Sequence, residues 1–458
     1  MRVIVCGAGQ VGYNIARYLA QAGNDVTVID QRPELSQKIA DSLDIKTLTG
    51  FASHPEVLER AGAEDAEILI AVTQIDEVNM VACQVAHSLF NVPTKIARVR
   101  HQSYLHRRWQ DLFRREHMPI DVIISPEVEV AHAIARRLEV PGATDVQPFA
   151  DDRVRLIAVR CDADCPILDT PLRQLTFLFP DLHQTVIGIT RNDHFFIPSG
   201  DDHLIAGDEA YSIVDTQHVL RAMRAFGHEE KVAERIVIAG GGNIGLFLAR
   251  ELEVAQPDVT LTLIEKDPAR ARFIADKLED TVVLNGDARD PEIHEEANLG
   301  TAKSIVAVTN DDEVNIMAAL LAKRHGCERA LTLVNNNAYG PLLGSLGIDV
   351  VINPREATVS SVLQHVRRGR IRSVYTLKDG EAEVLEAEAL ETSPLVGRPL
   401  RDARLPTGVL VGAVIHEGEV IVPRANTVVR AHDRVIIVAR GAAIKKAEKL
   451  FAVRVDYF

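Results

Sequence analysis

A chain of 458 residues is too long for a single hydrophobic core, and its length predicts about three or four domains. The composition, 47% hydrophobic and 25% charged, is ordinary for a soluble globular protein, and the net charge of −14 argues against a nucleic-acid partner. No apolar run approaches the roughly 18 residues of a membrane span, and Met1 leads directly into an apolar strand without a signal peptide. Five scattered cysteines suit a reducing compartment. We therefore expect a cytoplasmic protein.

The chain begins with the pattern strand, glycine-rich loop, helix. Residues 3–5 predict a buried strand, and the helix after the loop carries apolar residues at helical spacing as far as Ala20. Gly7 permits the tight turn, Gly9 lets the backbone approach a pyrophosphate, and Gly12 lets helix and strand pack closely. Amide groups at the start of the helix then attract the phosphate charge. The pattern predicts a dinucleotide site that contains Gly7, Ala8, Gly9, Gln10, Val11 and Gly12.

An acidic residue ends the second predicted strand. Residues 26–29 form this strand, and Asp30 follows 21 residues beyond Gly9. That spacing is typical of a carboxylate that binds the ribose diol of a dinucleotide. Because a carboxylate repels a 2′-phosphate, we expect NAD(H) to be preferred over NADP(H).

Further strands, at 45–48, 68–72, 95–99 and 122–124, alternate with helices and predict a doubly wound parallel sheet whose ligand lies beyond the carboxyl ends of the strands. Three polar residues fall at or near those ends: Thr73, Gln74 and Arg98. The Thr73 hydroxyl is a candidate donor to phosphate or ribose, and Arg98 is a candidate partner of the pyrophosphate. The alternative for Arg98 is an ion pair with Asp76 or Glu77. For Asp76 and Asn79, capping of the next helix is as well supported as ligand binding.

Residues from about 142 to 226, and again from about 372 to 455, have no glycine-rich loop. They read as short strands separated by turn residues, with one closing helix. This pattern predicts a small α+β companion domain after each nucleotide module. Its strand edges suit pairing or dimer contacts.

The chain is a tandem repeat, because the block at 71–79 returns 236 residues later with small shifts in the loops between landmarks. Leu333 stands in the position of Arg98, and Asp287 stands in the position of Phe51. The second site has thus lost a cation and gained an acid, so we expect it to hold a polyphosphate more weakly. Its predicted residues are Gly240, Gly241, Gly242, Asn243, Ile244, Gly245, Glu265, Asp287, Thr309 and Asn310.

Together these patterns predict an α/β protein with two Rossmann-like doubly wound parallel-sheet domains, each followed by a small α+β domain. We expect the nucleotide-binding domains at residues 1–141 and 229–371. The companion domains are expected at 142–228 and 372–458.

No catalytic constellation is visible in the sequence. Cys161 and Cys165 have no partner pair and no counterpart in the second repeat, so structural thiols are favoured and no metal site is predicted. The basic stretches at 107–115 and 367–372 are either solvated helix faces and ends or docking patches for an acidic protein or a membrane surface. A duplicated ligand site without catalytic residues favours sensing over turnover.

Five segments resemble the TrkA family, the cytosolic regulatory subunits of bacterial Trk potassium-uptake systems, and more widely the regulators of potassium conductance (RCK): 7–12, 81–86, 240–245, 305–313 and 321–324. The resemblance covers essentially the whole chain. It implies modules that bind NAD(H), ATP or ADP. It also implies a homo-oligomeric ring, a dimer or tetramer, beneath an integral-membrane potassium-translocating Trk subunit, peripheral on the cytoplasmic face of the inner membrane.

By the same resemblance, the first site comprises residues 7–11 with Asp30, Thr73, Gln74 and Arg98, and the second comprises 240–244 with Glu265, Thr309 and Asn310. Phe51 departs from the Gly-Asp-Ala pattern common in such modules. Two other functions remain open. An NAD-dependent dehydrogenase needs a proton-transferring His, Lys or Tyr beside the nicotinamide, and the companion module offers no compact substrate domain. A scaffold with relic Rossmann folds would bind no nucleotide.

Overall fold

The computed structural model describes residues 1–179, 182–229, 233–336, 338–366, 371–441 and 443–451. Internal contacts divide the chain into two units, the first consisting mainly of residues 1–131 and 352–366 and the second of most of the remainder. Among the described residues, no helix has both the length and the apolar character that crossing a bilayer demands.

The first unit is built on a six-stranded parallel sheet, in the order β3-β2-β1-β4-β5-β6. Short apolar runs form its central strands, as expected where helices cover both faces of a sheet. The strands are β1 Arg2–Cys6, β2 Asp25–Asp30, β3 Lys46–Thr49, β4 Ile68–Ala71, β5 Thr94–Arg98 and β6 Val122–Ile124. The helices are α1 Gln10–Gln21, α2 Pro33–Ser42, α3 Pro55–Ala61, α4 Asp76–Phe90, α5 Gln102–Leu105 and α6 Pro126–Glu139.

A five-stranded antiparallel sheet follows, in the order β10-β9-β11-β8-β7. Its elements are β7 Ala143–Phe149, β8 Val154–Arg160, α7 Leu172–Leu178, β9 Gln184–Arg191, β10 His194–Phe196, β11 Glu209–Asp215 and α8 Val219–Ala225. Cys161 and Cys165 are free and buried in the core of this domain. Their burial supports a role as structural thiols, which stays a prediction.

The second repeat has the same topology as the first. Its parallel sheet has the order β14-β13-β12-β15-β16-β17, from β12 Arg235–Ala239, β13 Thr260–Glu265, β14 Val282–Asn285, β15 Ser304–Ala307, β16 Arg329–Leu333 and β17 Val350–Ile352. The helices are α9 Asn243–Ala255, α10 Pro268–Ala275, α11 Pro291–Glu296, α12 Asp312–Arg324, α13 Gly340–Leu343 and α14 Pro354–Gln364. Its companion sheet, β18-β19-β22-β20-β21, contains β18 Ile371–Leu377, β19 Ala382–Glu388, β20 Val409–His416, β21 Glu419–Ile421 and β22 Arg434–Arg440, followed by α15 Ala443–Lys449. The predicted fold class is confirmed.

Helix α14, although it follows the second parallel sheet in sequence, packs in the first unit. Val362 and Leu363 of α14 lie in one buried cluster with Ile15 and Leu19 of α1. The two helices are in direct contact. The first nucleotide module therefore contains a helix from the second repeat.

The two companion sheets pack against each other through their faces. Phe149, Ile187 and Ile213 of the first sheet share a buried cluster with Val384 and Ile436 of the second. Strand β8 is buried on both faces, which requires a second layer over the sheet. The sequence predicts pairing or dimer contacts through strand edges. The association within the chain uses the faces because apolar residues occupy both sides of the central strands.

Candidate nucleotide-binding sites

The first glycine-rich loop lies between β1 and α1. Gly7 has φ +112°, a conformation that favours glycine, and its amide donates to the carbonyl oxygen of Ile29 at 2.7 Å. A β-carbon on Gly12 would lie 1.8 Å from the Gly7 carbonyl oxygen, so only glycine allows this approach of helix to loop. The two glycines bring the start of α1 to the carboxyl end of the sheet, as predicted.

Gly9 stands at the N-terminus of α1 with open space before it. A β-carbon built there would meet no atom within 4 Å, and the backbone, at φ −65° and ψ −179°, is accessible to any residue. No side chain caps α1, and its first turn contains no acid. The free amides and the positive end of the helix dipole therefore face open space, which suits a bound phosphate group. The residues present fit a dinucleotide.

The Asp30 carboxylate is 8% exposed and holds the glycine-rich loop. Its Oδ2 accepts from the Ala8 amide at 2.7 Å, and its Oδ1 accepts from the Arg32 amide at 2.9 Å. A carboxylate has about four acceptor positions, so lone pairs remain for a ribose diol. Asp30 thus positions the glycine-rich loop, a role that its distance of 21 residues from Gly9 does not reveal.

Arg32 adds a positive charge beside Asp30 that the sequence analysis overlooked. Its Nε lies 3.4 Å from Asp30 Oδ1, and its side chain is 44% exposed. This cation reduces the negative potential that repels a 2′-phosphate. The expected preference for NAD(H) over NADP(H) would therefore require the charge of the Asp30 carboxylate to outweigh that of Arg32.

Thr73 and Arg98 are brought together at the carboxyl edge of the sheet. Arg98 Nη2 donates to the Thr73 carbonyl oxygen at 2.7 Å, while its buried Nε has no hydrogen-bond partner in the described structure. Burial of the guanidinium, followed by the charge of Arg100, lowers the pKa of Arg98. The ion pair with Asp76 or Glu77 is not formed among the described residues. A desolvated cation with a free donor suits an anionic ligand.

Asn79 and Asp76 are buried, and neither side chain caps α4. The Asn79 side chain accepts from the Thr73 hydroxyl at 2.7 Å and donates to the Arg98 carbonyl oxygen at 2.9 Å. Asp76 Oδ2 accepts from the amides of Arg100 and His101 at 2.9 and 2.7 Å. The helix-capping alternative is therefore wrong for both residues, because their side chains fasten the neighbouring loops instead. Gln74 is solvent-exposed at this edge.

The second loop repeats the geometry of the first. A β-carbon on Gly245 would lie 2.0 Å from the Gly240 carbonyl oxygen, whereas one on Gly242 would meet nothing within 4 Å. Helix α9, which starts with Asn243 and Ile244, also has no side-chain cap and no acid in its first turn. Glu265 accepts from the amides of Gly241 and Asp267 at 2.8 Å each, the role that Asp30 has in the first site.

Thr309 repeats the contacts of Thr73. Its hydroxyl donates to Asn315 Oδ1 at 2.7 Å, and Asn315 Nδ2 donates to the Leu333 carbonyl oxygen at 3.0 Å. Asn310 is exposed, like Gln74 in the first repeat. Both sites therefore keep one framework, a buried asparagine that joins the two strand ends.

The charge balance of the second site differs from the sequence-based expectation. Asp287 pairs with Arg289 at 2.8 Å and with Lys266 at 3.1 Å, and the hydrogen bonds from Arg289 hold the pKa of Asp287 far below its usual range. Arg270 Nε donates to the Gly241 carbonyl oxygen at 2.8 Å, beside the glycine-rich loop. The charge of Asp287 is thus compensated by Arg289 and Lys266, and Arg270 adds a cation near the loop that offsets the loss of a cation at Leu333. No sequence motif predicts that Lys266, Arg270 and Arg289 lie beside this site.

Two arginines of the basic stretches have intramolecular ion-pair partners. Arg114 pairs with Asp111 at 2.8 Å, and Arg372 pairs with Glu388 at 2.8 Å. Residues 367–370 of the second stretch lie outside the described residues. A docking role for either stretch stays a prediction.

The fold and the sites define a class of protein: tandem Rossmann-like modules, each with a glycine-rich loop and a strand-end carboxylate and each followed by an antiparallel companion domain. The TrkA-N domain model matches residues 3–126 and 236–354, and the TrkA-C domain model matches 384–452. The Trk system potassium uptake protein TrkA of Azorhizobium caulinodans is 51% identical over 458 residues, covering all of both chains. That of Halomonas elongata is 42% identical over 462 residues, again covering both chains fully. The chain belongs to the TrkA family, and the predicted resemblance is confirmed.

Solved structures confirm the fold. The GsuK channel has a TM-score of 0.61 and 18% identity, covering 99% of this chain and 79% of that chain. The GsuK RCK domain has a TM-score of 0.57 and 17% identity, covering 99% and 95%. The GsuK channel bound to NAD also has a TM-score of 0.57, with 18% identity and coverage of 99% and 79%. At these identities the similarity shows the fold alone.

Proposed function

We propose that the chain is a nucleotide-sensing regulatory subunit that controls potassium uptake through an integral-membrane Trk subunit. The observation that carries this proposal is the pair of uncapped helix N-termini at Gly9 and Gly242, each with open space before it and a strand-end carboxylate beside it. Full-length relatives named for Trk potassium uptake support the role.

The ligands in this proposal are NAD(H), with ATP or ADP as further ligands. Asp30 and Glu265 supply the acceptors for a ribose diol, and Arg98 in the first site and Arg270 in the second supply cations near the phosphates. The GsuK channel, which has the same fold, has been solved bound to NAD, which supports the choice. The other predicted contacts, Thr73, Gln74, Asp287, Thr309 and Asn310, remain part of the proposed sites.

The mechanism in this proposal is a population shift. A ligand that binds the conducting arrangement better than the resting one biases the attached pore, and about a hundredfold preference supplies roughly 2.7 kcal/mol per site. Helix α1 is a suitable transmitter because its N-terminus receives the pyrophosphate and its apolar face packs on α14. A homo-oligomeric ring, peripheral on the cytoplasmic face of the membrane, would add the contributions of equivalent sites.

The alternative from another class is an NAD-dependent dehydrogenase, since such enzymes share the Rossmann fold. In this chain the parallel sheets are followed by antiparallel sheets whose faces are buried against one another, which does not resemble a substrate domain. We therefore propose binding without turnover.

A complementation experiment tests the proposal. In cells that lack this protein and other potassium importers, the parent gene should restore growth at low external potassium. Gly9→Glu should restore it poorly, because it places a side chain and a negative charge where the pyrophosphate binds. Gln21→Glu is the matched control, since it adds the same charge on an exposed position at the other end of α1, about 18 Å away. Equal growth with all three genes, or normal potassium uptake without any of them, would reject the proposal.

A further inference from the structure

Three potential metal ligands meet in the first companion domain, outside both nucleotide sites. His183 lies just before β9, Asp215 ends β11, and His218 lies in the 3-10 turn that follows. One ligand atom from each residue lies within 4.8 Å of the other two. The Asp215 amide donates to the His183 carbonyl oxygen at 3.1 Å, which fixes the two segments side by side.

The donor atoms are available for a cation. Asp215 Oδ1 accepts from the Gln217 amide at 3.0 Å, whereas Oδ2 lies 3.7 Å from His218 Nδ1. That Nδ1 is buried and has no hydrogen-bond partner among the described residues. A buried polar atom without a partner costs stability, and a bound ion would satisfy it.

The two imidazoles are stacked, with ring centroids 4.4 Å apart and planes 10° from parallel. Nearly parallel rings do not aim both lone pairs at one point, so one ring must turn about its side-chain bonds to share an ion. Both histidines are only partly buried, which leaves space for that turn.

The second companion domain provides an internal comparison. At an offset of 225 residues, Gly408, Arg440 and Ala443 replace His183, Asp215 and His218. The corresponding backbone hydrogen bond is present, since the Arg440 amide donates to the Gly408 carbonyl oxygen at 3.0 Å.

The position of His183 favours glycine. It has φ +46°, in the left-handed region, and its counterpart Gly408 has φ +84°. The second repeat shows that this turn forms with glycine and without any of the three ligands. The backbone alone therefore does not explain why a histidine occupies the left-handed position in the first repeat.

We propose that His183, Asp215 and His218 bind one divalent transition-metal ion of the borderline class, such as zinc. Imidazole nitrogen and carboxylate oxygen are ligands that this class accepts, and three protein ligands leave a fourth position for water or a further group. The sequence analysis predicted no metal site, because only Asp215 and His218 are close in sequence and His183 joins them through the sheet.

Occupancy would fasten the start of β9 to the turn after β11. His183 also lines a cavity of about 470 Å³ that is bordered by Leu410 and Val420 of the second companion domain. The ion would therefore hold one wall of this cavity. Since it binds the folded chain, it would also raise the melting temperature.

The test uses the full-length protein after chelator treatment, titrated with Zn²⁺ alone. We expect one ion per chain with a dissociation constant below about 10 µM, and a higher melting temperature at saturation. His183→Gly copies the second repeat and relieves the left-handed strain, and His218→Ala copies it as well. Each variant should lose at least about tenfold in affinity, or ~1.4 kcal/mol, and its melting temperature should rise less than that of the parent when zinc is added.

His203→Ala is the matched control, because His203 lies near Asp169 in the same domain and, among the described residues, no third potential ligand groups with them. It should bind zinc like the parent. A Co²⁺-loaded sample should lack sulfur-to-cobalt absorption, which separates this site from Cys161 and Cys165. The proposal is overturned if the parent does not bind zinc in this range, or if a variant with both His183→Gly and His218→Ala binds it with unchanged affinity.

Discussion

Alanine in place of Gly9 or of Gly12 should separate nucleotide binding from folding. A β-carbon on Gly9 meets nothing within 4 Å, whereas one on Gly12 meets the Gly7 carbonyl oxygen at 1.8 Å. We expect Gly9→Ala to fold normally and bind NADH poorly. Gly12→Ala should destabilise the module itself.

The magnitudes follow from the contacts. At Gly9, the gain from a less flexible unfolded chain, about 0.4–1 kcal/mol, offsets the loss of a preferred cap residue, also about 0.5–1 kcal/mol. The melting temperature should therefore move by less than about 4 °C. The same methyl group occupies the space of the pyrophosphate, so NADH binding should fall at least about tenfold, or ~1.4 kcal/mol. Since the backbone around Gly12 must shift, Gly12→Ala should cost about 3 kcal/mol or more.

The assay is thermal unfolding with and without NADH, together with calorimetric titration. Gly242→Ala and Gly245→Ala repeat the comparison in the second module. A β-carbon on Gly242 meets nothing within 4 Å, whereas one on Gly245 lies 2.0 Å from the Gly240 carbonyl oxygen. The proposed role of Gly9 is wrong if Gly9→Ala leaves the NADH affinity of the first site unchanged. The proposed role of Gly12 is wrong if Gly12→Ala melts at the parent temperature.

Three further predictions concern charge and chemistry. Asp30→Asn should raise the affinity for NADPH relative to NADH at least about tenfold, because Arg32 remains and the repelling charge is gone; equal affinity for both cofactors in the parent protein would exclude this role for Asp30. Burial, and to a smaller extent the charge of Glu448, raises the pKa of Glu383 from 4.5 to about 8. The folded protein therefore prefers the neutral carboxyl, and the free energy of unfolding should fall as pH rises from about 4.5 to 8. Glu383→Gln should remove this loss, worth up to about 5 kcal/mol above pH 8, and an unchanged pH profile of unfolding would refute the assignment. Purified protein with NADH and a panel of carbonyl compounds should show no steady loss of reduced-nicotinamide absorbance; sustained oxidation would favour the dehydrogenase alternative.

The sequence was sufficient wherever local pattern dictates structure. Gly7, Gly12 and their counterparts in the second repeat predict a tight turn and a helix packed closely against it. Apolar runs followed by polar residues predict the strands and their carboxyl ends. The same motifs occur in both repeats, so each prediction for the first repeat is supported by the second. Fold class and family were therefore predictable.

Features that depend on non-local packing were not predictable. Nothing in residues 354–364 distinguishes a helix that packs on its own sheet from one that packs on α1 of the first repeat. Arg270 and Arg289 reach the second candidate site from segments without a motif, and Asp30 fastens the first glycine-rich loop through a hydrogen bond from the Ala8 amide. Periodicity reports which residues are buried, but not which surface buries them.

The most direct test of the central claim is potassium flux into vesicles that contain the membrane Trk subunit and this protein, measured with NADH, NAD⁺, ATP or ADP added in turn. We predict that flux requires this protein and changes with at least one nucleotide. In a chain that carries both Gly9→Glu and Gly242→Glu, which block both proposed pyrophosphate positions, the nucleotide effect should disappear while the protein still binds the vesicles. Flux that is the same with and without this protein, or a nucleotide response that persists in the double variant, would contradict the account.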